Sequence, residues 1–202
     1  MRKLTEKELV LASHNQGKLR EIAKLVEPLG IAVKSAADFG LTEPDETETT
    51  FAGNARIKAH FAASATGLPA LSDDSGITVD GLDGAPGVYT ADWAETPNGR
   101  DFPMAMKKVW DQLEAKDAAR PRTASFRCVL CVAWPDGHDE VFEGKVDGHL
   151  TWPMRGELGF GFDPIFIPEG HDITFGEMDP DLKHSISHRA DAFQKMLANC
   201  FA

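Results

Sequence analysis

The sequence predicts an α/β domain built on a mixed β-sheet that is flanked by helices. In the first half of the chain, short apolar runs alternate with segments whose apolar residues recur at helical spacing, which is typical of a βαβαβ order. The second half adds one helical segment, two longer strand-like runs and a final helix. A chain of 202 residues with 42% hydrophobic residues can bury a core of its own, so we expect residues 1–202 to form a single domain.

The elements of the first half are marked by clear start and stop signals. Gly30 ends the first helical pattern, and Gly67 with Pro69 closes the second, which Thr49 or Thr50 can cap. The expected elements are a strand over 8–13, a helix over 17–30, a strand over 31–36 and a helix from Phe51 to Thr66.

The second half is expected to open with a strand, a turn at Ser75–Gly76 and a further strand, because adjacent Asp, Ser and Gly favour turns. A loop rich in Gly and Pro follows over 81–99. The later elements are a helix over 102–115, antiparallel strands over 124–134 and 139–152, a loop over 153–170, and a last helix that carries Ile186, Ala190, Phe193, Leu197 and Cys200.

Charge and composition exclude several classes of protein. The formal net charge is −11, whereas a protein that binds duplex nucleic acid normally presents a basic face. No run of about 18 apolar residues suggests a membrane span, and the start of the chain has no long apolar stretch typical of a secretory signal. Three cysteines give no disulfide framework, so we expect a cytoplasmic protein. Cys128 and Cys131 lie three apart within a strand pattern and are interpreted as core residues on opposite faces.

Residues 13–18, Ser-His-Asn-Gln-Gly-Lys, follow a strand and open a helix. Backbone N–H groups at a helix N-terminus attract anions, and Lys18 adds a positive charge. The stretch is not a Walker A loop, because Ala12 and Leu19 stand where that loop needs Gly and Ser or Thr. A helix start capped by Ser13 or Asn15 explains the same residues without a ligand.

Two acidic stretches are candidates for metal chemistry. Residues 43–48 carry four carboxylates, and Mg²⁺ is commonly held by one or two carboxylates together with substrate phosphates. Asp73 and Asp74 end an apolar run and, as neighbours in a strand, point to opposite faces. One of them can hold a metal or accept a proton from water while the other supports the chain. A solvated loop and a structural turn are the competing interpretations.

Two further stretches have the residue types of a ring-binding site. The sequence Phe-Gly-Phe-Asp at 160–163 places aromatic faces beside a carboxylate, which suits a stacked base, although two core aromatics around a turn would look the same. Residues 183–189 carry Lys183, His184, His188 and Arg189. The two histidines lie four apart, but a zinc site would need a third ligand, and an exposed basic turn is the alternative.

Taken together and in this order, the motifs resemble the inosine-triphosphate pyrophosphatase family, whose members hydrolyse noncanonical purine nucleoside triphosphates. The resemblance runs from residue 9 to residue 189 and includes the stretches at 50–59 and 70–91. It implies an elongated α/β fold with a long mixed sheet, two lobes and an active-site cleft between them. It also implies a homodimer that uses Mg²⁺ to split the substrate into a monophosphate and pyrophosphate.

The resemblance implies a role for each matching residue. Asp74 would be the general base and a metal ligand, and Lys18 would act on the phosphates. Glu46 would be the second metal ligand, with Asp45 as the alternative. The substrate contacts would be Ser13, His14, Asn15, Gln16, Gly17, Lys18, Ser75, Phe160, Gly161, Phe162, Asp163, Lys183, His188 and Arg189.

Four positions depart from the family pattern. Ser13 and His14 stand where Thr and Gly are usual, Gly53 replaces the usual Glu before Asn54, and Phe162 stands where Tyr or Trp is usual. Two other functions compete with the resemblance: an aspartic protease assembled from two Asp-Ser-Gly loops, and a nucleotide sensor without turnover. The first leaves residues 13–18 unexplained, and the second would not need Asp74.

Overall fold

The computed structural model describes residues 1–201 and contains one six-stranded sheet of the predicted mixed kind. Its strand order is β2-β1-β3-β6-β7-β8; β1 pairs in parallel with β2 and β3, and β7 pairs antiparallel with β8. A two-stranded ribbon, β4-β5, stands apart from it. The strands are β1 (Glu8–Leu11), β2 (Ala32–Ser35), β3 (Ala70–Val79), β4 (Glu95–Thr96), β5 (Gly99–Arg100), β6 (Thr123–Ala133), β7 (Asp139–Leu150) and β8 (Phe166–Pro168).

The helices begin where side-chain caps are available. Asn15, Thr50, Asp101 and Asp179 each accept backbone N–H groups at a helix start. The helices are α1 (Gln16–Val26), α2 (Phe51–Thr66), α3 (Phe102–Ala115), α4 (Pro180–Ile186) and α5 (His188–Met196), with a short π-helical segment over Leu197–Phe201. No helix within residues 1–201 combines the length and the apolar composition that a membrane span requires.

Three sequence expectations were wrong. Residues 70–79 form one continuous strand rather than a strand, a turn and a strand, because Asp73 and Asp74 find positive partners there. The expected last helix is interrupted at Ser187, whose backbone is extended, so His184 and His188 lie on different helices. The loop expected over 153–170 contains the short edge strand β8.

Contacts divide the chain into two compact units, each with its own core. The first unit comprises residues 1–74, 128–144 and those from 189 onward; the second comprises residues 75–127 and 145–188. In the first unit, Cys128 belongs to a cluster with Leu9 and Ile22, and Cys131 to a cluster with Ala55 and Ala59, so the two cysteines do occupy opposite faces of β6. Burial raises the pKa of both thiols to about 12, as expected of core residues.

Candidate functional site

The predicted phosphate loop, Ser13–Lys18, leads from β1 into α1. The Asn15 carboxamide oxygen accepts the N–H groups of Gly17 (2.9 Å) and Lys18 (3.1 Å), and the Asn15 N–H donates to Ser13 Oγ (3.2 Å). The capping interpretation is therefore confirmed for Asn15. An anion that binds at this helix start has to compete with the Asn15 side chain for the same amides.

Lys18 and Arg189 both contact the same carboxylate oxygen of Asp73 in the first unit. Asp73 Oδ2 lies 3.2 Å from Lys18 Nζ and 3.3 Å from an Nη atom of Arg189, and Glu21 pairs with the other Nη of Arg189. Burial by itself would raise the pKa of Asp73, but Lys18 and Arg189 outweigh that effect and hold it well below its usual range. Asp73 is therefore a permanent buried anion that fixes two cations.

Asp74, the next residue, has different surroundings. Its Oδ1 lies 3.6 Å from the Lys58 ammonium, which also binds the Glu46 carboxylate. Burial raises the pKa of Asp74 to about 6, against the opposing influence of Lys58 and Lys18. Two neighbouring carboxyls whose pKa values are driven apart in this way indicate separate roles, one as a fixed anion and one as an acid or base.

Lys58 is a functional candidate that the sequence analysis missed. It is 4% exposed on α2, and its pKa is raised because Asp74, Asp73 and Glu46 together outweigh the lowering effect of burial. Asn54, one turn earlier on the same buried face, accepts the Glu48 N–H at 2.9 Å. The sequence did contain a signal for Lys58, because a lysine stands four residues after an asparagine in an alanine-rich helix. A charged residue on the buried face of such a helix is rare unless it is paired. Glu21, which pairs with Arg189, was not predicted either, because it belongs to none of the sequence motifs.

Glu46 and Asp74, the two predicted metal ligands, both lie beside the ammonium group of Lys58. Glu46, rather than its neighbour Asp45, is the residue that contacts Lys58, so Glu46 and Asp74 direct carboxylate oxygens at the same ammonium. Within residues 1–201, no group of three or more His, Cys, Asp or Glu side chains is placed to hold a metal ion. Glu46 and Asp74 supply two carboxylates, the number that Mg²⁺ commonly takes from a protein when water and substrate phosphates complete its shell.

The predicted ring-binding residues of the second unit gather around one ion pair. Lys183 Nζ lies 2.6 Å from Asp163 Oδ2, and it also stands 4.9 Å from the centroid of the Phe160 ring. Asp163 accepts the Phe160 N–H at 2.7 Å. Gly159 has φ +75°, and a Cβ there would collide with Asp163 Oδ2, so the turn requires glycine. This ion pair fixes the loop that presents Phe160.

The aromatic residues of the 160–163 loop differ in exposure. Phe160 is 36% exposed, whereas Phe162 is 1% exposed and packs edge-on against Phe102, with ring centroids 6.2 Å apart. Phe160 is therefore the ring available for stacking, and the Phe162 side chain belongs to the core. His188 is also buried and stacks on Phe126, with ring centroids 5.0 Å apart.

The remaining predicted contacts are spread over the two units. Gln16 is exposed, Gly17 and His14 are half-buried, and all three belong to the first unit with Lys18. Ser75 is half-buried and begins the second unit, where Gly161 has φ +65°. Arg189 is placed with Asp73 and Glu21, not in the unit that contains Asp163 and Lys183.

The fold is that of an α/β protein. Its candidate site combines the loop at residues 13–18, capped by Asn15 at a helix start, with the ion pairs of Lys58 to Glu46 and Asp74. Its sequence matches the profile of the Ham1 family over residues 9–199. The chain belongs to the Ham1 family, which confirms the family predicted from the motifs and leaves the aspartic protease interpretation without support.

Individual relatives cover almost the whole chain. A dITP/XTP pyrophosphatase of Ruegeria pomeroyi is 66% identical over 96% of this chain and 95% of its own length. One from Agrobacterium fabrum is 57% identical over 99% of each chain. Among solved structures, a HAM1 protein from Coxiella burnetii is 39% identical with a TM-score of 0.87, and covers 95% of this chain and 96% of its own. This agreement confirms the predicted mixed-sheet α/β fold.

Proposed function

We propose that this chain hydrolyses the noncanonical purine nucleoside triphosphates ITP, dITP and XTP to the monophosphate and pyrophosphate, and so removes them from the nucleotide pool. The names of the relatives support the substrate class. The observation that carries the proposal within this chain is Asp74, a buried carboxyl whose pKa is raised to about 6 beside Glu46, Lys58 and the loop bearing Lys18. A carboxyl poised near neutrality is suited to general-base work.

The residues of the first unit divide the phosphate chemistry between them. Asp74, once ionised, accepts the proton of the attacking water, and Lys18 stabilises negative charge on the phosphates. Asp73 holds Lys18 in place through the 3.2 Å ion pair. Glu46 and Asp74 would hold Mg²⁺, which when bound neutralises phosphate charge and favours attack on the α–β phosphoanhydride.

The residues of the second unit account for a preference among bases. Hypoxanthine and xanthine present a 6-oxo acceptor and an N1–H donor, whereas adenine presents the opposite pattern. Lys183 and His188 supply donors, and Asp163 is an acceptor next to Lys183. A site built on hydrogen bonds can reject a mismatched base by factors of roughly 10⁴. We therefore expect ITP, dITP and XTP to be cleaved far better than ATP.

The proposal includes two properties of the whole protein. It acts in the cytoplasm, where the three buried free cysteines Cys128, Cys131 and Cys200 would stay reduced. It also forms a homodimer, as the resemblance implies, which light scattering of the purified protein would test.

The decisive experiment is a product assay on ITP, dITP and XTP, with ATP and GTP as comparison substrates. Each reaction is run with Mg²⁺ and with excess chelator, and the products are separated by ion exchange. We expect monophosphate and pyrophosphate in the presence of Mg²⁺. Orthophosphate and a diphosphate as first products, or full activity in chelator, would contradict the proposal, and binding without turnover would favour the sensor.

A further inference from the structure

His14 stands in the phosphate loop at the position where the family resemblance implies Gly. Its backbone does not need glycine, because the non-glycine residues with positive φ among residues 1–201 are Asp83 and Asp117. The ring makes a specific contact instead: His14 Nε2 lies 2.9 Å from the carbonyl oxygen of Leu41. A carbonyl only accepts, so the proton of this hydrogen bond belongs to Nε2.

Leu41 begins the segment that carries the acidic residues. Its N–H donates to the Ala36 carbonyl at 3.1 Å, and its side chain packs against the cluster that contains Ala55 and Ala59 of α2. Seven residues later, the Glu48 N–H donates to Asn54 Oδ1 at 2.9 Å. The segment 41–48, which we call the acidic segment, is therefore fixed to α2 at both ends.

His14 adds a different kind of attachment, because it connects the acidic segment to the phosphate loop. Glu46 lies within the segment, and Lys18 lies four residues after His14 at the start of α1. The Nδ1 atom of the His14 ring is buried and makes no hydrogen bond to the described residues, so the contact with Leu41 is the polar interaction that orients the ring.

We propose that His14 is a positioning residue whose Nε2–H bond to Leu41 fixes the acidic segment against the phosphate loop, and so sets the affinity for the divalent cation held by Glu46 and Asp74. The inference rests on the proposed function for its cation, but the attachment itself can be measured without turnover.

The test compares three substitutions at His14. His14→Phe keeps a ring of similar size without the donor, His14→Gly restores the usual residue, and His14→Gln keeps an N–H donor of similar reach. In the Phe and Gly variants, the Mg²⁺ concentration that gives half-maximal ITP cleavage should rise roughly three- to tenfold, the range expected for loss of one hydrogen bond. His14→Gln should restore a value close to that of the wild type.

A matched control is available on α2, where His60 Nε2 lies 2.9 Å from Asp139 Oδ2. His60→Phe removes a hydrogen bond of the same length from the same unit, and it should leave the Mg²⁺ dependence unchanged. If His14→Phe and His60→Phe shifted the Mg²⁺ requirement equally, the effect would reflect general loss of stability and the proposal would be wrong.

Hydrogen exchange measures the attachment directly. The amides of Leu41 and Glu48 are both hydrogen-bonded, and in metal-free protein they should exchange faster in His14→Phe and His14→Gly than in the wild type or His14→Gln. Unchanged exchange of residues 41–48 in all three variants would overturn the proposal. A wild-type chain that released no pyrophosphate would refute the proposed function, while the exchange result would still decide whether His14 fixes the segment.

Discussion

Asp73 and Asp74 are adjacent in the chain but contribute to stability with opposite sign. The pKa of Asp73 is lowered, so its charged form stabilises the folded state at pH values above about 4, and this stability is lost as the pH falls. The pKa of Asp74 is raised, so the folded state holds its proton more tightly than the unfolded state does, and the ionised form costs stability at neutral pH.

The first prediction uses this contrast. Asp73→Asn should lower the free energy of unfolding by about 3–5 kcal/mol, because it deprives the buried Arg189 and the half-buried Lys18 of their shared carboxylate. Asp74→Asn should raise it by roughly 1–2 kcal/mol at pH 8 while lowering kcat at least about a hundredfold. Urea unfolding and ITP turnover of both variants check it, and loss of stability in both would show that Asp74 is a structural residue.

A second prediction concerns pH. At Mg²⁺ below saturation, kcat/KM for ITP should rise as the pH increases through about 6, because Asp74 must lose its proton to act as a base. Metal binding competes with protons for a carboxylate, so more Mg²⁺ should move the rising limb to lower pH. Profiles of kcat/KM against pH, recorded at two Mg²⁺ concentrations, test this prediction. If the pH of the rising limb did not change with Mg²⁺, Asp74 would not be a ligand of the cation.

Phe160 and Phe162 give a third prediction at the same scale. Phe160→Ala should raise KM for ITP about tenfold or more, since base stacking contributes roughly 1–3 kcal/mol. Phe162→Ala should instead lower the free energy of unfolding by about 3–5 kcal/mol, as expected for a buried aromatic ring. If Phe162→Ala had the larger effect on KM with unchanged stability, the assignment of the stacking ring would be reversed.

At the scale of elements, the start of α2 explains one departure from the family pattern. Gly53 occupies the third position of the helix, and its N–H donates to the Thr50 hydroxyl at 3.1 Å. Glu is favoured at this position because its side chain completes a capping box. Here a Cβ on residue 53 would meet the Glu48 Cβ at 2.5 Å and its Cγ at 2.7 Å, so Glu48 fills the space that a side chain would need.

The fourth prediction follows from this contact. Gly53→Glu should cost about 1–3 kcal/mol through overpacking, but in a Glu48→Gly background it should be neutral or stabilising, because the Glu48 side chain is gone and the capping box can form. The Glu48 N–H bond to Asn54 involves the backbone and survives the change. Urea unfolding of both single variants and the double variant measures the coupling, which should exceed about 1 kcal/mol; additive effects would count against the contact.

The accuracy of the predicted elements depended on where their determinants lie. The bounds of α2 were predicted correctly because Thr50 and Gly67 mark its ends locally. The continuity of β3 was not predictable, because Asp-Asp-Ser-Gly favours a turn and the cations that stabilise it, Lys18 and Lys58, come from other elements. Likewise, the contact of Glu46 with Lys58 could not be read from the sequence, and the choice between Asp45 and Glu46 as a metal ligand stays a prediction.

At the scale of the whole molecule, motif order was the most informative feature of the sequence. The family match spans residues 9–199, so nearly the entire chain contributes to the identification. Arg189 shows the limit of this reasoning: its motif implied a role in binding the base, while the structure gives it two carboxylate partners, Asp73 and Glu21. Base recognition by Arg189 stays a prediction, and its pairing with Asp73 and Glu21 could be recognised only from the structure.

The buried ion pairs around Asp73 and Asp74 also have a consequence for the order in which ligands bind. The cluster combines three cations with four carboxylates, a net charge of −1 when Asp74 is ionised; the cations are Lys18, Lys58 and Arg189, and the carboxylates are Glu21, Glu46, Asp73 and Asp74. A divalent cation alone would leave it positive and would face repulsion from Lys58.

Metal and triphosphate should therefore bind with positive cooperativity, which is the fifth prediction. The affinity for Mg²⁺, measured by calorimetry, should be at least about tenfold higher with an ITP analogue that resists cleavage than without it, and linkage requires the analogue to gain the same factor from Mg²⁺. Equal metal affinity in both conditions would contradict the prediction. In thermodynamic terms, Lys58 would make the free protein a poor metal binder and the metal–nucleotide complex the preferred ligand.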